Sequence, residues 1–274
     1  MIYFQGSKGP KLALDPSSVF DIGACIVEGV DLAPGRAIPD DGDPRIDHSL
    51  EGFLFTCGPD HIRHPAAMTG GGLYPLHGSA SGHAAEALTF VAEGEDITAS
   101  ALIPLRLAGG ELAELRRQWR IKGESGEVQL SDEIVNTGDT AFPVFHMYHM
   151  NLGARHFDAG TRIEGAMIEG GGLPWAFGEG ERGLFCVPAG HGGWAELRLG
   201  PIAAIGAKTL KVRFRTDTLP HLQIWRNQAA PAHVLGIEPV SHRLADRGDL
   251  DAAGEFYQLE PGAGRHYGLA FSFV

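Results

Sequence analysis

The sequence predicts an all-β chain built from many short antiparallel strands and closed as one large sandwich or barrel. Three observations lead there. Glycine (39) and proline (17) together make up about a fifth of the 274 residues and punctuate the whole chain, leaving few stretches long enough for a helix. The segments between them are short and rich in Val, Ile, Leu and Phe, with Gly, Asp, Asn or Pro at their ends. The alternation of strand and ten-residue helix that marks a parallel sheet is absent.

Taken in order, strands are expected at Asp21–Val30, Gly52–Cys57, Glu86–Ala92, Ala99–Leu107, Glu111–Ile121, Glu127–Asn136, Ala141–Leu152 and Arg162–Ile168. They continue at Gly183–Val187, Ala195–Leu199, Thr209–Arg215, His221–Arg226, His233–Glu238, Glu255–Leu259 and His266–Phe273. Alternation is clearest at Leu210, Val212 and Phe214. Hairpin turns are signalled by Gly123-Glu-Ser-Gly126, Asn136-Thr-Gly138 and Pro261-Gly262. Two segments lack a strand pattern. Ala33 to Ser49 carries Pro34, Pro39 and Pro44 among four aspartates and reads as a surface excursion. His61 to Ala85 is a long loop rich in Gly, Pro and His, of the kind that often carries function. No repeat, low-complexity tract or linker divides the chain, so residues 11–274 are expected to form a single domain. Residues 1–10 include Tyr3-Phe4-Gln5-Gly6-Ser7, which looks like the end of a cleavage tag, and are expected to be a disordered start.

The charge balance excludes some functions. Lys+Arg 22 against Asp+Glu 34 gives −12, and no basic run exceeds Arg116-Arg117, so nucleic acid is not an expected partner. No apolar run approaches a membrane span, and no membrane partner is expected. Cys25, Cys57 and Cys186 form no C-x-x-C pair, which argues against a zinc knuckle or redox motif and for reduced, buried thiols in a cytoplasmic protein.

Four segments could carry chemistry. In Phe142-Pro-Val-Phe-His-Met-Tyr-His-Met-Asn-Leu152, strand alternation puts Phe145, Met147, His149 and Asn151 on one face and Val144, His146, Tyr148 and Met150 on the other. Both faces are apolar enough to be buried. Buried polar groups need partners, and His146 reads as a satisfied core residue whereas His149 is the functional candidate. On a strand the pair His146 and His149 points to opposite faces, so it is no metal site, and no metal or other cofactor is expected. In His221-Leu-Gln-Ile-Trp225, Gln223 and Trp225 share a face, which suits either a sugar stacked on the indole or a core indole capped by the amide. In Val234-Leu-Gly-Ile-Glu-Pro239, Glu238 shares a face with Gly236. Glycine there lets another group approach closely, and partial desolvation should raise the carboxyl pKa toward neutrality; the bland alternative is a salt bridge to Arg243. Finally, His77 lies in the Gly-rich loop Gly70-Gly-Gly-Leu-Tyr-Pro-Leu-His-Gly-Ser79.

These motifs in this order resemble the aldose 1-epimerase (galactose mutarotase) superfamily, and in particular bacterial relatives of unestablished substrate. The resemblance is carried by Thr56-Cys57-Gly58, Leu76-His77-Gly78, Tyr148-His149-Met150-Asn151-Leu152-Gly153, Leu222-Gln223-Ile224-Trp225, Gly236-Ile237-Glu238-Pro239 and Leu259-Glu260-Pro261-Gly262, and runs from about Asp21 to Val274. It implies a large antiparallel supersandwich and a cofactor-free sugar isomerase with a small carbohydrate as its partner. Glu238 would be the base and His149 the acid. His77, Gln223, Trp225, Asn151, Tyr148 and Arg63 would bind substrate. The chain departs from the family pattern in two respects: His149 stands two residues before Asn151, where mutarotases place the acid histidine four before, and the family's binding aspartate has no counterpart. Two other readings stay open: a metal-dependent sugar isomerase on a cupin-like barrel, and a carbohydrate-binding protein without turnover. A homodimer is among the assemblies open to the chain.

Overall fold

The computed structural model describes residues 1–35 and 50–274. The proline- and aspartate-rich excursion from Ala33 to Ser49 lies, from residue 36 on, outside the described residues. Among the described residues, strands gather into two nine-stranded antiparallel sheets and two small two-stranded ones.

The first sheet runs, edge to edge, through Ile2–Phe4, Lys11–Asp15, Asp21–Val27, Leu54–Cys57, Met147–Gly153, Val234–Val240, His221–Asn227 and Arg182–Pro188, with Val30–Asp31 paired to Asp21–Val27. The second runs through Gly172–Pro174, Arg162–Gly165, Trp194–Ile202, Lys208–Arg215, Gly264–Phe273, Val128–Asn136, Leu112–Ile121, Asp96–Arg106 and Glu86–Glu93. The large antiparallel sandwich expected from the sequence is therefore the observed fold.

In the long central strands of the second sheet burial alternates, as in Lys208–Arg215, where Leu210, Val212 and Phe214 point into the core. That face packs against the first sheet around Phe20, Ile22, Trp119, Leu130, Leu152, Ile224 and Ile237. The two central strands of the first sheet behave differently. Every residue of Met147–Gly153 and of Val234–Val240 is buried. One face of these strands lies in the core between the sheets. The other is covered by the loops after Cys57 and Val240, which close a second cluster around Phe55, Met147, Phe145, Val240 and Leu250.

Several expectations are corrected. The first residues are not a disordered start: Ile2–Phe4 pairs with Lys11–Asp15, because Ile2, Phe4, Leu12 and Leu14 have apolar surface to bury at the sheet edge. The single strand expected over Ala141–Leu152 is broken. Phe142–Pro143 pairs with Gln258–Leu259, and the main strand starts at Met147. Conversely, the Glu238 strand does not stop at Pro239 but continues to Val240. Its ladder to Met147–Gly153 is interrupted between Met147↔Val240 and Met150↔Ile237, where Pro239 has no N–H to give. The expected loop over 61–85 is a loop, stiffened by a small hairpin of Ala66–Ala67 and Leu73–Tyr74.

Candidate active site

The site lies on the outer face of the first sheet and is laid out by strand register. Cys186 pairs with Gln223, and Gln223 pairs with Glu238. Continuing the register that joins Met150 to Ile237 places His149 beside Glu238, and His149 in turn pairs with Phe55. One row therefore crosses five strands as Cys186, Gln223, Glu238, His149 and Phe55, all facing the same way. The next row carries Trp225 against Gly236, with Gly236 opposite Asn151.

Glu238 is fully buried and His149 is 3 % exposed. Their facing atoms, Oε1 and Nε2, are 3.2 Å apart. The Gln223 amide donates to the other carboxyl oxygen, Oε2. Oε1 has no well-angled hydrogen-bond donor, so a buried acceptor is left open beside the imidazole. Gly236 makes room for this pair. A Cβ at that position would stand 2.6 Å from Glu238 Oε1 and 3.0 Å from His149 Cε1. The glycine expected to permit a close approach does so, and the groups that approach are Glu238 and His149.

Burial dominates the electrostatics. It raises the Glu238 carboxyl to about 8, against smaller opposing effects of the Gln223 hydrogen bond and the Arg63 charge. It lowers His149 to about 4, offset in part by the Asn151 side chain. Near neutral pH the pair thus holds a single proton, which rests on the carboxyl group while the imidazole is neutral. His77 is likewise pushed well below the usual histidine range by burial and by the neighbouring His149.

Arg63 reaches into the site from the long loop. Its Nε donates to Gln223 Oε1 at 2.9 Å, and its terminal nitrogens donate to the carbonyls of Arg243 (2.9 Å) and His242 (3.0 Å). One side chain thereby ties the 61–78 loop to the segment after Val240. The His77 amide donates to the Arg63 carbonyl at 2.7 Å, and the His77 carbonyl accepts from Gly58 at 2.9 Å. Gly78 has φ +82, and a Cβ there would collide with the carbonyls of His61 and Gly58, which is why the Leu-His-Gly motif requires its glycine. The His77 ring ends 5.4 Å from that of His149, edge to face. Trp225 packs edge to face on the other side of His149 at 5.7 Å. Arg63 also borders a cavity of about 860 Å³ lined by His61, Tyr74, Phe145, Arg247 and Phe256.

Seven of the eight residues expected at the site are thus brought together: Glu238, His149, His77, Gln223, Trp225, Asn151 and Arg63. Asn151 stands behind His149 and donates to the Gly52 carbonyl at 3.3 Å. Tyr148 is the exception and is corrected here. Strand alternation turns it to the inner face, where its hydroxyl donates to Asp132 at 2.9 Å. It belongs to a buried network in which Arg117 binds Asp132, Asp21, Thr56 Oγ1 and the Val19 carbonyl. His146 is on that inner face too, stacked on Tyr267 at 4.1 Å; it is the core residue expected, but its Nε2 is left without a hydrogen-bond partner rather than satisfied. The expected alternative of a Glu238–Arg243 bridge is not formed: Arg243 binds Glu255. Sequence reasoning missed Cys186, because only the long-range pairing of its strand places it in the row. It also missed the backbone acceptors of Arg63, which no side-chain motif can show. Among the described residues, no three His, Cys, Asp or Glu side chains are grouped to hold a metal ion, and no helix is long and apolar enough to cross a membrane.

Comparison with known proteins places the chain in a family. A family model described as a domain of unknown function, DUF4432, matches residues 21–169 and 179–273. The chain belongs to the DUF4432 family. No curated protein matches it. Solved structures share its fold. A provisionally named aldose 1-epimerase of Klebsiella pneumoniae superposes with TM-score 0.75 at 19% identity, covering 97% of this chain and 77% of that one. A galactose mutarotase related enzyme of Lactobacillus acidophilus gives 0.68 at 11% identity over 100% and 97% of the two chains. A galactose mutarotase-like protein of Clostridium acetobutylicum gives 0.69 at 12% identity over 99% and 94%. This DUF4432 chain therefore has the galactose mutarotase-like fold. The cupin-like barrel weighed from the sequence is ruled out as its architecture.

Proposed function

We propose that the chain is a sugar isomerase of the aldose 1-epimerase kind, with Glu238 and His149 as its proton-transfer pair. The observation that carries this reading is the enclosed contact of the two groups, one proton between them, beside an amide, a guanidinium and an indole. Opening a pyranose ring requires that the anomeric O1–H lose a proton while the ring oxygen gains one. The C1–O5 bond then breaks to leave an open-chain aldehyde, rotation about C1–C2 exposes its other face, and the reverse transfers reclose the ring.

A buried pair with a single proton supplies one acid and one base to these two oxygens, which are neighbours on the same carbon. The proton passes from the Glu238 carboxyl to His149 on substrate binding. Glu238 then takes the anomeric proton and the imidazolium protonates the ring oxygen. Gln223 and Arg63 hold the carboxylate and the sugar hydroxyls, Trp225 offers a stacking face, and His77 binds from the loop side. Asn151 orients His149.

The test is anomer exchange followed by NMR magnetisation transfer across aldoses, 6-deoxy sugars and uronic acids. Acceleration of one class by the protein, lost in Glu238→Gln, supports the reading and names the substrate class. Binding of a sugar with no acceleration would make the chain a carbohydrate-binding protein on the same fold.

A further inference from the structure

The row that holds the acid–base pair continues one strand further, to Cys186. Because Cys186 pairs with Gln223 and Gln223 with Glu238, the three side chains leave the sheet on the same face. Cys186, like Trp225, packs against the outer cluster that covers this face. The Arg63 guanidinium and the Glu238 carboxyl are both charge neighbours of its thiol, and Arg63 lies within hydrogen-bonding reach of it. The other two cysteines are fully buried, whereas Cys186 is only partly so, and the side chain next along its strand face, Leu184, is 50% exposed. Nearby, the Glu238 Oε1 and His77 Nδ1 atoms are buried and without a hydrogen-bond partner.

We propose that Cys186 is a residue of the sugar site and its point of covalent control, so that addition to its thiol displaces Arg63 from Gln223 and closes the site. This rests on the sugar-isomerase reading above. A thiol is a weak hydrogen-bond donor and a small, polarisable surface, so the part of the ligand above it is held by contact more than by hydrogen bonding. Burial pushes the Cys186 thiol up, with Arg63 opposing, so the reactive thiolate forms readily only in alkaline solution.

The experiment uses N-ethylmaleimide on the native protein at graded pH, with the modified peptide identified by mass. The thiolate sulfur bonds to one alkene carbon, the carbon–carbon π bond breaks, and the neighbouring carbon takes a proton from water. Labelling is expected at Cys186 and not at Cys25 or Cys57. The sugar found active in the exchange assay, at ten times its half-saturating concentration, should slow labelling about tenfold. The labelled protein should lose exchange, while Cys186→Ser should be indifferent to the reagent whatever its own rate. In Arg63→Met the pH midpoint of labelling should rise, since the guanidinium favours the thiolate.

Full exchange by a protein labelled at Cys186 would overturn the proposal. So would a labelling midpoint that ignores Arg63→Met, with Arg63→Lys checking that the loop is still in place. Should no sugar be turned over, the isomerase reading falls by itself. The Arg63 arm then still decides whether the thiol sits in the site.

Discussion

At the scale of single residues, the site turns on one carboxyl group and one imidazole buried against each other. Glu238 has a folded value raised to about 8 by burial, so the folded state holds this proton more tightly than the unfolded chain does. Stability linked to it is complete below the ordinary carboxyl range and is lost as pH rises toward 8. His149 works in the opposite direction. Its value is lowered to about 4, so stability linked to it is present above the usual histidine range and is lost as pH falls toward 4. Glu238→Gln removes the first of these penalties. Its melting temperature should therefore exceed that of the wild type by several degrees at pH 8 and by much less at pH 5, as thermal unfolding at the two pH values will show. The same variant should lose about 10²-fold or more in anomer exchange, stability and activity moving in opposite directions. Tyr148→Phe should do the reverse. It strips a buried partner from Asp132, costs about 1–3 kcal/mol in chemical denaturation, and leaves the pH profile of exchange in place. His146→Asn should likewise act on stability, through loss of its stacking on Tyr267.

At the scale of elements, the site is a product of register. A row of residues far apart in sequence faces one way because four neighbouring ladders keep their pairing, and because Gly236 leaves a gap in the adjacent row. Gly236→Ala tests this directly. The added methyl would meet both Glu238 Oε1 and His149 Cε1, so exchange should fall by more than tenfold while the far-ultraviolet spectrum and the cooperativity of unfolding are kept. Much of this level was legible in the sequence. The alternation of Met147 to Leu152 separated His149 from His146 correctly, and the same parity argument puts Tyr148 on the inner face even though the family resemblance offered it as a ligand contact. Glu238 beside Gly236 was readable as a desolvated carboxyl. What was not legible was non-local. Nothing near Cys186 in the chain shows that it pairs with Gln223, and nothing near Arg63 shows that the carbonyls of His242 and Arg243 will hold it. Nor does the sequence around Pro239 reveal that the strand runs on through the proline, since a missing N–H is tolerated only where the partner ladder is already open.

At the scale of the whole molecule, two large sheets enclose a mainly apolar core that a charged network crosses. Arg117 and Asp132 stand on the second sheet, Asp21, Thr56 and Tyr148 on the first, and their hydrogen bonds tie the sheets together directly behind the strand that carries His149. Desolvation raises Asp21 to about 6, and the Arg117 charge offsets part of that rise. Arg117→Met would leave two acidic groups in the core without their cation and should destabilise the protein by about 3–5 kcal/mol in chemical denaturation. The fold class itself was the most legible feature of the sequence, since the spacing of glycine and proline leaves room for little but short strands. The N-terminal edge strand was the least, because residues 2–4 look like an appended segment until Leu12 and Leu14 supply the surface they cover.

The measurement that bears most directly on the central claim is the rate of anomer exchange between pH 3.5 and 9.5, in wild type and Glu238→Gln side by side, with a sugar that responds. A buried pair sharing one proton predicts a plateau for the wild type, falling below about 4, where both groups are protonated, and above about 8, where neither is. The variant should stay at the uncatalysed background throughout. A variant that follows the wild-type profile at the wild-type rate would contradict the claim that Glu238 and His149 are the proton-transfer pair.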